Sequence, residues 1–129
     1  MKRVSIQLCL FLSMAISACS HHRHETSFTV KESHHSYYLE TNFNEDLTHD
    51  VERYLNDKIG QSDPSILIDG SGDRRITLSD HSSFHLVTDP GYVELKLDKD
   101  QNSKASYQRI RSICQGLKAV VIQPTPIDQ

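Results

Sequence analysis

The clearest pattern in the chain is the run Tyr92-Val93-Glu94-Leu95-Lys96-Leu97, where apolar and charged positions alternate without a break. A period of two predicts a half-buried strand with Val93, Leu95 and Leu97 facing in and Glu94 and Lys96 facing out. Ser36 to Phe43 alternates in the same way, with Tyr37, Leu39 and Phe43 on one face and Tyr38, Glu40 and Asn42 on the other. Shorter strands are predicted at Phe28–Lys31, Ser65–Ile68, Arg75–Ser79 and Phe84–Val87, with a last one at Ala119–Ile122. The dipeptide Pro90-Gly91 and the run Asp69-Gly70-Ser71-Gly72-Asp73 punctuate these strands as turns.

Two segments follow the helical period instead. Leu47, Val51, Tyr54, Leu55 and Ile59 recur at three- and four-residue steps. Asn44 or Thr41 supplies the cap, Glu45 and Asp46 sit at the positive end of the dipole, and Gly60 is the stop. A second helix opens at Ser103 and carries Tyr107, Ile110, Ile113, Cys114 and Leu117 on one face, with Arg109 and Arg111 off it and Gly116 as the expected terminator. The order of elements predicts an α+β fold: a mainly antiparallel sheet of four to six short strands, with both amphipathic helices on one face.

The segment before all this is patterned differently. Lys2 and Arg3 precede a run from Val4 to Ile16 that is apolar on every side, and small residues Ser17 and Ala18 close it. That layout is a secretory signal, too short to span a bilayer comfortably. Its end, Ile16-Ser17-Ala18-Cys19, resembles the lipobox of bacterial lipoproteins, with a branched apolar residue and two small residues before an obligatory cysteine. The resemblance is confined to residues 2–19 and implies nothing about the fold beyond them. It implies cleavage before Cys19, a diacylglyceryl group on the Cys19 sulfur and, in many Gram-negative bacteria, acylation of the new amine. Two or three acyl chains then hold the protein durably. Residue 20 is Ser, not the Asp that tends to retain lipoproteins at the inner membrane of enterobacteria, so the analogy favours the outer membrane, periplasmic face. A competing cut after Ala15, at Ser13-Met14-Ala15, would release a soluble product with Cys19 free to pair with Cys114. The expected organisation is therefore a removed signal (residues 1–18), a lipidated Cys19 with a polar His-rich tether (19–27), one domain (28–123) and a tail (124–129).

Charge changes the picture in one respect. Removing residues 1–18 takes away two basic side chains and no acidic ones, leaving 12 against 17 and a net charge of −5. An acidic chain without a basic cluster is a poor nucleic-acid binder. Once Cys9 leaves with the signal and Cys19 carries lipid, Cys114 is the remaining thiol and is expected in the core.

Candidate chemistry is sparse. Asp69 to Asp80 spaces its oxygens like a calcium loop, but Arg74 stands where a glycine makes the sharp turn, and a Gly-rich hairpin turn accounts for it better. His81 and His85 are four apart, which on a strand separates them by about 13 Å, so they are expected as solvent-facing hairpin histidines. Asp80-His81-Ser82 contains triad residue types, but neighbours in sequence point in different directions. No nucleophile-elbow, zincin or phosphate-loop signature occurs.

The histidines His21, His22, His24, His34 and His35 form a compositional excess. After cleavage before Cys19, the free amine, two amide nitrogens and His21 would suit square-planar copper(II) or nickel(II), unless acylation blocks the amine.

The expected function is thus a non-catalytic, lipid-anchored accessory that binds another envelope protein, through a sheet edge or the tyrosines Tyr38 and Tyr92. No cofactor is expected. The alternatives are a periplasmic metal-binding protein using His21, His22 and His24, and an enzyme with a polar pocket around Asp80, His81 or His85.

Overall fold

The computed structural model describes residues 25–122 of the 129-residue chain. Five strands form one fully antiparallel sheet: β1 (Ser27–Glu32), β2 (Ser36–Asn42), β3 (Gly72–Thr77), β4 (Ser83–Asp89) and β5 (Tyr92–Asp98). Their spatial order is β1-β2-β5-β4-β3, so the two hairpin units join where β2 meets β5. Two helices, α1 (Thr48–Gly60) and α2 (Lys104–Val121), cover one face of the sheet. This is the α+β architecture that the alternation and the two helical stripes predict.

The period of two sorts the side chains as expected. Leu39, Leu86, Val93, Leu95 and Leu97 point into the core, where they meet Val51, Leu55 and Ile59 of α1 and Ile110, Ile113 and Leu117 of α2. Asn44 accepts from Asp46 N at 3.0 Å and caps a 3-10 turn, Glu45–Leu47, that leads into α1. Ser103 caps α2 by accepting from Ser106 N at 3.0 Å. Pro90 and Gly91 turn β4 into β5, with Gly91 at φ +74°. A side chain there would be strained, and its Cβ would lie 2.8 Å from the carbonyl oxygen of Phe43.

Three sequence expectations give way. Gly116 does not end α2, which continues as helix to Val121, and Ala119–Ile122 is therefore not a strand. Gly116 lies at the helix crossing. A Cβ there would sit 2.1 Å from the Tyr54 hydroxyl, which reaches across to donate to the Ile113 carbonyl at 2.6 Å. The glycine permits close approach rather than a stop, a role that local propensity does not reveal.

Ser65–Ile68 forms no ladder either. Ile68 is buried at 1 % exposure, and its backbone finds its partners in one side chain: Asn56 of α1 accepts from Ile68 N at 2.6 Å and donates to Ile68 O at 2.7 Å. The amide thus does what a neighbouring strand would have done. Accordingly, the Asp69–Asp73 turn leads from an unpaired segment into β3 instead of joining two strands. Asn56→Ala orphans both Ile68 groups and is expected to destabilise the fold by about 2–3 kcal/mol. Urea unfolding with an unchanged slope is the check, and a loss below about 0.5 kcal/mol would refute the bridging role.

Candidate functional site

Both helices lie on one side of the sheet, so among the described residues the opposite face is open, and its side chains are polar apart from Val87. From β2 it carries Tyr38, Glu40 and Asn42, and from β5 Tyr92, Glu94 and Lys96. His85 and Val87 come from β4, and Asp73 and Arg75 from β3.

These groups are tied into hydrogen-bonded pairs. The Tyr38 hydroxyl donates to Glu40, and Tyr92 donates to Glu94 at 2.7 Å. Lys96 Nζ lies 3.0 Å from the same Glu94, and His85 pairs with Asp73. Arg75 instead donates to the Ser83 hydroxyl and the Gln101 amide oxygen, both at 3.2 Å. The Glu40 carboxylate holds the Tyr38 phenol neutral and pushes its pKa up to about 12. Burial, then the bond to Glu94, raises that of Tyr92. Glu94 falls below the usual carboxylate range because Tyr92 and Lys96 both donate to it, which outweighs its partial burial. At neutral pH the face therefore presents fixed carboxylates, fixed cations and neutral phenols. An open cleft of about 410 Å³ lies across it, lined by Tyr38, Arg75, Ser83, His85, Lys96 and Asp98 among others.

The tyrosines expected as exposed binding residues do share this face, but both are half-buried. Lys31 and Lys96 each lie within 6 Å of the Tyr38 ring centre, at 5.9 and 5.7 Å. Among the described residues β1 is one of the two edges of the sheet, and its exposed large apolar side chain is Val30, 44 % exposed.

The triad residue types of Asp80-His81-Ser82 build a loop lock. Asp80 accepts from Ser82 N at 3.1 Å, and Arg109 of α2 pairs with Asp80 and donates to the Ser82 hydroxyl at 2.8 Å. Partial burial acts to raise the Asp80 pKa, but the bonds from Ser82 and the Arg109 charge prevail and lower it. Ser82 is fully buried, and His81 turns the chain with φ 69°. His81 lies in the loop before β4, and His85 lies on the outer face of β4. Asp69 to Asp80 spans a turn, a strand and a loop, so its oxygens do not ring one point. Cys114 is buried against Tyr37, and burial pushes its thiol up to about 12, far from a reactive thiolate.

His35 meets Asp100 at 2.9 Å on the surface. Among the described residues no group of three or more His, Cys, Asp or Glu is placed to hold a metal ion. Cys19, His21, His22 and His24 lie outside the described residues. Sequence reasoning named His85, Lys96 and the tyrosines, but it missed Lys31 and Arg75 as members of the same face. The outward phase of each strand was readable, whereas the alignment between strands was not. Comparison with protein-family models, with curated proteins and with solved structures finds no match.

Proposed function

We propose that the protein is a small lipoprotein held through Cys19 at the periplasmic face of the outer membrane, where it acts as a binding or accessory protein for another envelope protein, without catalysis. The lipobox resemblance supports the anchor. The binding role is carried by one observation, the open sheet face, on which tyrosine, lysine and glutamate groups are fixed by hydrogen bonds along β2 and β5, and His85 and Arg75 by bonds between β3 and β4. Tyrosine and arginine are enriched where proteins recognise one another, and pre-ordered side chains lose little entropy on docking. Glu40, Asp73, His85, Glu94 and Lys96, though not Lys31 and Arg75, are already engaged with each other or with a phenol on an open surface, an arrangement better suited to recognition than to turning over a small molecule.

Site-specific photo-crosslinking in intact cells provides the test. Benzoylphenylalanine at Tyr38 or Tyr92 is expected to give the same discrete adduct with an envelope protein, while the probe at Gln108 or Ala119 on α2 gives none. Equal adducts from both sides, or none from the sheet, would overturn the reading.

A further inference from the structure

The strand register brings Lys31, Tyr38, Lys96, His85 and Arg75 into one straight row across all five strands. Lys31 is opposite Tyr38, Tyr38 opposite Lys96, Lys96 opposite His85, and His85 opposite Arg75. At about 4.8 Å between strands the row is roughly 19 Å long. It alternates cation, aromatic, cation, aromatic, cation, so the three permanent charges stand about 10 Å apart, beyond the range of strong mutual repulsion at physiological salt. Two residues along each strand runs a parallel row of acids: Glu40 opposite Glu94, with Asp73 on β3 reached through Val87. On the other side Ser36 is opposite Asp98, and Ser83 is opposite Thr77.

We infer that this row is a binding site for an acidic segment of a protein partner, laid across the strands, with the stretch from Tyr38 to Arg75 in the cleft and Lys31 beyond its end. The inference rests on the reading that the open face is the recognition surface, and it adds the chemistry of what docks there. Lys96 and His85 already share carboxylates with the acidic row. Lys31 and Arg75, at the two ends, pair with no carboxylate among the described residues. Arg75 is held in place by neutral acceptors, Ser83 and Gln101, so its guanidinium is positioned with its charge uncompensated. Lys31 rests against the Tyr38 ring. The acidic row decides between kinds of anion. An anionic membrane plane would meet both rows and be repelled by one as it is attracted by the other, and Asp98 adds to that repulsion. A narrow acidic segment can lie along the basic row alone, with the flanking carboxylates fixing its position by repulsion on either side.

The test uses the full mature chain in nonionic detergent and a rhodamine-labelled deca-glutamate as the probe, followed by fluorescence anisotropy. Lys31→Glu with Arg75→Glu is expected to weaken binding at least tenfold. The charge-matched pair Lys104→Glu with Lys118→Glu, on the helix side, should change it less than twofold. Circular dichroism checks folding, and Lys31→Gln with Arg75→Gln, expected to weaken binding at least threefold, serves if the charge reversal unfolds the chain. Equal effects from both pairs, no binding of the probe, or equal binding to phosphatidylglycerol vesicles or to inorganic phosphate overturns the inference. In cells, the adduct from a probe at Tyr92 should disappear with the Lys31→Glu and Arg75→Glu pair. An adduct that persists sinks the acidic-segment assignment and leaves the wider reading of the face standing.

Discussion

A Cys19→Ala chain is expected to incorporate no palmitate and to disappear from the outer-membrane fraction. The argument is one of hydrophobic transfer. Each buried methylene of an acyl chain contributes about 0.8 kcal/mol, so one chain binds reversibly, and two or three hold a protein for as long as the membrane lasts. Alanine offers no sulfur, and without the modified cysteine the lipoprotein cleavage does not occur. Two products remain open to the chain. Uncut, residues 1–18 keep it at the inner membrane; cut after Ala15, it leaves the membrane altogether. Intact mass of the purified chain distinguishes them, and the wild type should begin at a lipidated Cys19. Palmitate labelling that survives the substitution, or a wild-type N-terminus at Ile16 or any residue other than Cys19, would show that the lipobox resemblance misleads.

Legibility in the sequence followed the range of the interaction involved. Val93, Leu95 and Leu97 announced their strand because a pleated backbone sends alternate side chains to opposite faces, whatever lies beside it. Ser103 announced the start of α2, and Asn44 the 3-10 turn that leads into α1, because a cap acts within three residues. Gly116 misled, since the reason for a glycine there is the Tyr54 hydroxyl, contributed from a helix some sixty residues earlier. Ser65–Ile68 misled for a related reason: its apolar run was read as a strand, while a single asparagine on α1 took the place of the missing ladder.

The candidate site divides along the same line. Lys96 and His85 could each be placed on an outward face from local alternation. That they stand side by side, with Tyr38 and Lys31 on one flank and Arg75 on the other, depends on β5 pairing with β2 across half the chain and with β4 through the Pro90-Gly91 turn. Composition argued against any basic cluster, because the count is acidic overall. The sheet concentrates three of the cations in a line that the count averages away. A surface of this kind is made by topology, and only the strand order β1-β2-β5-β4-β3 brings its members together.

Truncating Phe84 to alanine should cost the fold about 3–5 kcal/mol. Phe84 is 2 % exposed on β4, beside Leu39, Leu55 and Leu95, where the sheet meets both helices. The space left among these side chains is only about 10 Å³ and lined by apolar groups that offer a water no partner, so the core is filled as it stands. Deleting a ring there removes its transfer free energy and opens a cavity that neither the sheet nor the helices can close without breaking their own contacts. Domains of this size are stable by about 5–15 kcal/mol, so the loss takes a large share of the whole and should lower Tm by on the order of 20 °C. Leu67, 67 % exposed, supplies the contrast: Leu67→Ala should change stability by less than about 0.5 kcal/mol. Paired denaturant melts of the two variants measure the difference. If Phe84→Ala cost less than about 1 kcal/mol, the side chain would not be where the packing puts it. The assignment of the opposite face as the open one would then fall with it, because inward Phe84 and outward His85 are neighbours on one strand and fix each other's direction.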